Sequence, residues 1–101
     1  MAAGKIKRKE IPHPHIERKP GVCGGEPVIK GTRITVSLIV ELERMGKTVD
    51  EIVAIYPHIK HAEVYDALAY YYDNKSEVDR YIHENSEEYL RKKYEGEPWI
   101  R

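Results

Sequence analysis

Five histidines and one cysteine are the side chains of this sequence best suited to metal binding or nucleophilic chemistry. A zinc site normally needs four protein ligands, or three and a water molecule, and no group of Cys and His residues has a spacing that completes such a set. Cys23 lies among glycines without an adjacent base, which argues against a nucleophile. We therefore expect no metal site and no cofactor. The histidines expected to be solvated are His13, His15, His58, His61 and His83.

Enzymatic activity is not expected from the remaining residues. Catalysis requires acid, base or nucleophilic groups that converge in a pocket. The acidic residues fall mostly on helix positions predicted to be exposed, and no Ser-His-Asp or Cys-His arrangement has a supporting motif. The glycine-rich string at 21–25 is not followed by Gly-Lys-Ser/Thr, which favours a structural turn over a phosphate-binding loop.

The segment Pro20–Val36, PGVCGGEPVIKGTRITV, is dense in glycine and proline, which indicates a backbone with demanding local geometry. Short β-type runs at 27–29 and 33–36 flank a turn, which predicts a tight hairpin with Gly31 at positive φ. A further short strand is predicted at 16–18. The unpaired edges of this β-unit are one candidate surface for a homodimer.

Apolar residues recur at three- and four-residue spacing after the β-unit, which predicts helices. The first predicted helix covers Val36–Met45, with Thr35 or Ser37 as its N-cap and Gly46 at its end. The second runs from a Thr48–Glu51 capping box to Tyr56, and the third begins at Lys60 or His61. The fourth runs from an Asn74–Glu77 capping box to Tyr94. Lys60 is a poor N-cap, which costs about 1 kcal/mol.

Each predicted helix has an apolar face for a core. These faces are Leu38, Ile39, Leu42 and Met45; Val49, Ile52, Val53 and Tyr56; Val64, Ala67, Leu68 and Tyr71; and Val78, Tyr81, Ile82, Tyr89 and Leu90. The third helix is expected to turn outward Glu63, Asp66, Tyr70 and Asp73.

Tyrosine is the main aromatic residue, with eight copies and no phenylalanine. Tyr70, Tyr71 and Tyr72 are consecutive and point about 100° apart on a helix, so at least one of them must be exposed. Exposed tyrosines are typical of protein interfaces, because they combine apolar area with a polar tip. The alternative is that their hydroxyls reach water at the edge of the core.

The segment Pro20–Val36 resembles the opening of the domain-of-unknown-function 433 (DUF433) family. The resemblance covers roughly 16–82 and departs from the family at Lys60, where the family usually has Ser or Thr. Further matching residues are Gly46, Thr48–Val53, Tyr56-Pro57 and Val64–Tyr71. The resemblance implies a small helical protein with a helix-turn-helix. It also implies a VapB-type antitoxin role, in which the chain binds a PIN-type ribonuclease.

The second and third helices, joined by a short turn, have the spacing of a helix-turn-helix. The start of the second helix of that motif enters the major groove. The candidate DNA-binding residues are Lys60, His61, Tyr65 and Arg33. However, Glu63 and Asp66 would repel phosphates there, and this helix is poor in the Arg, Lys, Asn and Gln side chains that read bases. A helical hairpin used only for packing is the alternative.

Charge is balanced overall but unevenly distributed along the chain. Residues 1–20 carry six basic and two acidic residues, a net charge of +4, whereas residues 41–101 carry nine basic and fourteen acidic residues, a net charge of −5. The sequence therefore predicts a basic, flexible N-terminal arm at 1–15 that can contact phosphates. A solvated terminus without a ligand is the alternative.

The C-terminal residues are a candidate partner-binding segment. Gly96 and Pro98 end the last helix and leave a tail at 95–101 that contains two large apolar side chains. Such residues commonly anchor in the groove of a partner, and nearby arginines can pair with the carboxylates of a nuclease site. The candidate partner-binding residues are Tyr89, Leu90, Arg91, Trp99, Ile100 and Arg101. A tail that folds back on its own helix is the alternative.

The expected fold is mostly α, with a short N-terminal β-hairpin unit followed by a three- to four-helix, helix-turn-helix-like (homeodomain-like) bundle. A single domain at 16–94 lies between the arm and the tail. The lone cysteine suits a reducing cytoplasm, and no apolar run is long enough to span a membrane.

Three functional hypotheses follow. The first is an antitoxin-like interaction protein that neutralises a PIN-type ribonuclease toxin, forms a homodimer and binds operator DNA for autoregulation. The second is a stand-alone helix-turn-helix DNA-binding transcriptional regulator. The third is a dimeric scaffold with neither role.

Overall fold

The computed structural model describes residues 12–86. In chain order they form β1 (Ile16–Glu17), a single 3-10 turn (Cys23–Gly25), β2 (Val28–Ile29), α1 (Val36–Arg44), α2 (Val49–Ile55), α3 (His61–Asp73) and α4 (Lys75–Glu84). The described part of the chain is mostly α, with a short antiparallel β-unit before the helices, which confirms the predicted fold class.

The β-unit pairs two segments that are distant in the sequence. β1 and β2 run antiparallel, with Ile16 opposite Ile29 and Glu17 opposite Val28. Both isoleucines are buried and belong to the core. The β-unit is therefore anchored to the helices by one apolar side chain from each strand.

The turn after β2 confirms the predicted role of Gly31. Its φ of 76° lies in the left-handed region, which glycine adopts without strain. The predicted hairpin forms around this turn, because the Ile29 N–H donates to the Ile34 carbonyl at 2.9 Å and the Val36 N–H donates to the Pro27 carbonyl at 3.0 Å. Its second arm at 33–36 is shorter than the predicted strand, with a single β-bridge from Thr35 to Val28. The strand stops there because the Thr35 side chain accepts a hydrogen bond from the Leu38 N–H at 3.0 Å and so starts α1.

Thr35 is therefore the N-cap of α1, one of the two residues predicted for that role. The other, Ser37, is buried. Its hydroxyl donates to Glu26 Oε1 at 2.9 Å, which ties the first turn of α1 to the segment before β2.

Gly46 ends α1 as predicted. Its φ is 94°, the Gly46 N–H donates to the Glu43 carbonyl at 2.9 Å, and the Lys47 N–H donates to the Leu42 carbonyl at 3.1 Å. These two bonds form a Schellman motif. Met45 is the C-cap and is exposed, so its predicted place on the apolar face is wrong.

The next two helices start differently. The Thr48–Glu51 capping box of α2 is confirmed, with the Thr48 N–H 2.8 Å from Glu51 Oε1 and the Glu51 N–H 3.1 Å from Thr48 Oγ1. At α3 the Lys60 side chain does not cap. Instead, the Glu63 carboxylate accepts from the Lys60 N–H at 2.7 Å, which supplies half of a capping box.

The predicted capping box of α4 is wrong. The Asn74 side-chain amide donates backward to the Tyr70 carbonyl at 3.1 Å, and Asn74 forms no side-chain cap. The Glu77 carboxylate instead binds side chains outside the first turn of α4, those of Tyr70 and Arg18 among them. α4 ends at Glu84, and the predicted continuation to Tyr94 falls after residue 86, outside the described residues.

α3 is the central element, because β1, β2, α1, α2 and α4 all pack against it. Its predicted buried face is confirmed, with Leu68 packed against the core rather than fully inside it. The core consists of Ile16, Ile29, Ile34, Val36, Ile39, Val40, Ile52, Ile59, Val64, Ala67, Tyr71 and Val78.

Candidate functional site

A buried residue fixes the turn between α2 and α3. Ile59 belongs to the core, and its N–H donates to the Tyr56 carbonyl at 3.0 Å. α2 and α3 also pack directly against each other. α2 and α3 are therefore two packed helices joined by a short turn, as the sequence predicts.

Three of the four predicted DNA-binding residues lie at the start of α3, with Lys60 at the N-cap position and His61 and Tyr65 in the first two turns. Lys60 and His61 are exposed, and Tyr65 is 60% exposed. His61 Nε2 lies 2.7 Å from Asp50 Oδ1 on α2. Among the residues that the structure describes at the start of α3, Lys60 is thus the only basic side chain without a hydrogen-bond or ion-pair partner.

Arg33, the fourth predicted residue, lies on a different element. It is exposed on the turn after β2 and lines a shallow hollow of about 320 Å³ together with Lys19 and Glu17. Glu17 also accepts the Gly31 N–H at 3.0 Å. The hollow is therefore lined by side chains of both charge signs. Arg33 does not lie at the start of α3 with the other three predicted DNA-binding residues.

Asp66 faces the β-unit rather than the solvent, so its predicted outward position is wrong. Its side chain is only 11% exposed. One carboxylate oxygen accepts the His15 N–H at 2.8 Å, and the other lies 3.1 Å from His13 Nδ1. The carboxylate orients the chain entering β1, because it holds both His13 and His15 against α3.

His13 lies between two carboxylates of α3, which contradicts its predicted solvation. Its side chain is 12% exposed. Nδ1 contacts Asp66 and Nε2 lies 2.8 Å from Asp73 Oδ2. Only the doubly protonated ring can donate both bonds at once. The ring also meets Tyr70 edge to face, with 5.3 Å between centroids.

Tyr70, also predicted to point outward, is half-buried and packs against the core. Its hydroxyl donates to Glu77 Oε1 at 3.0 Å. The Glu77 carboxylate accepts in addition from the Tyr81 hydroxyl at 3.2 Å and forms an ion pair with Arg18. This network joins Arg18, which follows β1, to α3 and α4, and it explains why Glu77 does not cap α4.

A second network lies on the other side of α4. Arg44 donates to the Tyr71 hydroxyl at 2.8 Å and to Asp79 Oδ1 at 3.0 Å. Partial desolvation lowers the pKa of Arg44, but the hydrogen bonds to Tyr71 and Asp79 outweigh it and the pKa is raised. The guanidinium thus stays charged at any ordinary pH, so ionisation of Arg44 itself adds nothing to the pH dependence of stability there.

The solvent-facing side of α3 is apolar along its middle. Tyr65 and Tyr72 are 60% and 61% exposed, and Ala62 and Ala69 are exposed between and beside them. We call these four residues the α3 stripe. The exposed tyrosine expected among 70–72 is Tyr72. Extended exposed apolar surface marks interaction sites on proteins.

The candidate partner-binding residues lie outside the described residues, and so does the tail at 95–101. They are Tyr89, Leu90, Arg91, Trp99, Ile100 and Arg101. Within residues 12–86, no group of three or more His, Cys, Asp or Glu side chains is arranged to hold a metal ion. None of the helices described here is long and apolar enough to cross a bilayer.

Comparison with known proteins identifies the family. A family model with the description "Protein of unknown function (DUF433)" matches residues 16–71. The chain belongs to the DUF433 family. A crystal structure of a DUF433 member protein from Anabaena variabilis is 36% identical, with a TM-score of 0.66, and the match covers 68% of each chain. No curated protein matches the chain.

The DUF433 match extends from β1 into the last turn of α3. It thus includes the Gly31 turn, the α2–α3 pair and three of the four residues of the α3 stripe. Tyr72, α4 and the candidate partner-binding residues lie after the last residue matched to the DUF433 model.

Proposed function

We propose that this DUF433 protein is an antitoxin-like interaction protein that binds and neutralises a partner toxin. The observation that carries the interaction role is the α3 stripe, because two large side chains about 60% exposed lie on one helix face. Exposed tyrosines are enriched at protein interfaces, because they combine apolar area with a polar tip. The stripe supports a macromolecular ligand rather than a small one.

The toxin as partner rests on the family resemblance and on the end of the chain. Trp99 and Ile100 follow Gly96, and two cationic residues accompany them, Arg91 and Arg101. An apolar anchor with adjacent guanidinium groups suits a PIN-type ribonuclease, whose site needs metal-binding carboxylates that arginine can pair with in bidentate fashion. In this proposal the tail blocks the nuclease site.

The body gives the C-terminal segment a fixed starting point. The Asn85 side chain donates to Glu26 Oε2 at 3.0 Å, and Glu26 also accepts from buried Ser37. The end of α4 is thereby bonded to the segment before β2. A segment that starts from a fixed point loses less freedom on binding than one attached to a mobile helix.

The test is inhibition of a ribonuclease that co-purifies with the full chain from its native cell. Deletion of 95–101, or the double change Trp99→Ala with Ile100→Ala, should weaken inhibition about tenfold or more. Met45→Ala is the matched control, because Met45 is an exposed apolar residue elsewhere. Undiminished inhibition by the deleted chain would remove the proposed role of the tail.

DNA binding is the second candidate function, and one observation favours it. The Asp66 side chain is only 11% exposed and lies against His13, so it opposes a phosphate backbone less than the sequence suggests. His13 also lies against α3, through its contact with Asp66. Base reading has little support, because α3 contains no Arg, Lys, Asn or Gln. A salt-dependent gel shift with the DNA upstream of the reading frame would support this function.

A further inference from the structure

The α3 stripe has an alternating pattern of small and large side chains. Ala62, Tyr65, Ala69 and Tyr72 are spaced by three, four and three residues. This is the a/d spacing of a helix that packs against another helix. All four residues are exposed, so the partner helix is not one of those described in the chain.

The polar residues at the two ends of the stripe already have partners. His61 lies 2.7 Å from Asp50, and Asp73 lies 2.8 Å from the His13 ring. Neither needs a ligand to satisfy its charge. The ligand that suits this face is therefore apolar along the middle, which a nucleic-acid backbone is not.

We propose that the α3 stripe binds the α3 stripe of a second copy of this chain, with the two helices antiparallel. In this register Ala62 faces Tyr72 of the partner subunit, and Tyr65 faces Ala69 of the partner subunit. Each tyrosine then packs over an alanine in all four layers. The pattern is self-complementary, as a two-fold symmetric interface requires.

The parallel arrangement is excluded by volume. It would place tyrosine against tyrosine at two positions and alanine against alanine at the other two. The tyrosine pairs would then be overpacked, and the alanine pairs would leave cavities between the helices. The antiparallel arrangement also opposes the two helix dipoles. Side-chain volume and the helix dipoles thus favour the same orientation.

The area of the stripe sets the strength of the dimer. A buried tyrosine covers about 150–250 Å², so four tyrosines with about 60% exposure contribute about 400–600 Å². The alanines and flanking side chains add to this, but the total lies at or below the low end of stable interfaces, about 1,200 Å². We expect a weak dimer whose population depends on concentration.

The β-unit offers less for self-association than the stripe. β2 is bordered by β1 on one side and bridged by Thr35 on the other. The free edge in the described part of the chain belongs to β1, which has two residues. Such an edge supplies few hydrogen bonds to a second chain.

The test is sedimentation of the full chain over a range of concentrations. Tyr65→Ser and Ala69→Glu should each weaken self-association about tenfold or more, whereas Met45→Ser should leave it unchanged. Glutamate is a good helix former at an exposed position, so Ala69→Glu should fold, and circular dichroism checks this. Tyr65→Ser provides an independent variant if Ala69→Glu does not fold.

Cross-linking in a Cys23→Ser background tests the register. In the antiparallel dimer the two copies of residue 62 are about 15 Å apart along the axis, too far for a disulfide. Ala62→Cys alone should therefore not cross-link, whereas a mixture of Ala62→Cys and Tyr72→Cys chains should. Rapid cross-linking of Ala62→Cys alone would overturn the antiparallel arrangement.

Two further outcomes would overturn the dimer itself. One is a chain that sediments as a monomer at every concentration, or a dimer that Tyr65→Ser and Ala69→Glu leave intact. The other is a DNA gel shift that both variants abolish in a monomeric chain, which would assign the stripe to nucleic acid. The inference deepens the proposed interaction role, but a monomeric chain would still allow the tail at 95–101 to inhibit a toxin.

Discussion

At the scale of single residues, two aspartates of α3 contact the same histidine and differ in burial. Asp66 is 11% exposed and accepts from both the His15 N–H and the His13 ring. Asp73 is 66% exposed and contacts the ring alone. Only the loss of Asp66 leaves a partly buried backbone N–H without its acceptor.

Asp66→Ala should therefore lower the free energy of unfolding by about 2–3 kcal/mol, since an unsatisfied N–H and a desolvated ring remain. Asp73→Ala should lower it by about 1 kcal/mol or less, because exposed ion pairs contribute little. Urea denaturation followed by circular dichroism measures both changes. Asp66→Asn keeps an acceptor for the His15 N–H and should fall between them. Equal losses for the two alanine variants would contradict the asymmetry.

At the scale of elements, the helix starts differ in how well their N-caps are made. The Thr48–Glu51 box makes both reciprocal bonds at α2, whereas Lys60 contributes no side-chain bond at α3. The Lys60 backbone has φ −107° and ψ 161°, the extended geometry that N-cap residues adopt. Thus α3, the central helix of the fold, has no side-chain N-cap, although the backbone geometry of Lys60 suits one.

Lys60→Ser should therefore raise the free energy of unfolding by about 0.5–1 kcal/mol. The hydroxyl would cap the Glu63 N–H, and a positive charge would leave the positive end of the helix dipole. Thermal and urea unfolding measure the change. Thr48→Ala is the opposite case and should cost about 1 kcal/mol. A Lys60→Ser chain less stable than the natural one would show that Lys60 has a stabilising contact after all.

At the scale of the whole molecule, the β-unit and the helices share one core. Ile16 and Ile29 of the strands belong to the same buried cluster as Ile39 of α1 and Val64 of α3. Polar contacts cross the same boundary, from Asp66 to the chain before β1. We therefore expect residues 12–86 to unfold as one cooperative unit.

Ile29→Ala tests this cooperativity, because the side chain is fully buried. It should cost about 2–5 kcal/mol, and the far-UV signal of the helices should shift together with the near-UV signal of the tyrosines. Ile55→Ala, at a half-exposed position, should cost far less. If Ile29→Ala leaves the far-UV unfolding transition of the helices unchanged, the β-unit does not contribute to the stability of the helices.

Local patterns allowed much of this architecture to be predicted. The Thr48–Glu51 box, the Gly46 ending and the Gly31 turn each depend on residues within a few positions of one another. Their geometry is set by hydrogen bonds that close short loops and by the φ that glycine permits. The same kind of local pattern was misleading at Asn74, because its side chain and Glu77 bind residues outside that pattern.

The positions of Asp66 and His13 were not predictable in this way. They are 53 residues apart, and no spacing rule relates a histidine before a strand to an aspartate on a helix two-thirds of the way along the chain. Asp66 reads as an outward residue on a helical wheel. Only the packing of the β-unit onto α3 turns it inward.

The amino-acid sequence by itself determined where most helices begin and end, which apolar residues form the core-facing side of α3, and the family to which the chain belongs. These are consequences of short-range hydrogen bonding and of apolar periodicity. The tertiary structure decided which side of α3 stays uncovered. Five elements pack around that helix and leave Tyr65 and Tyr72 in solvent, because the surface they cover depends on contacts between segments far apart in the chain.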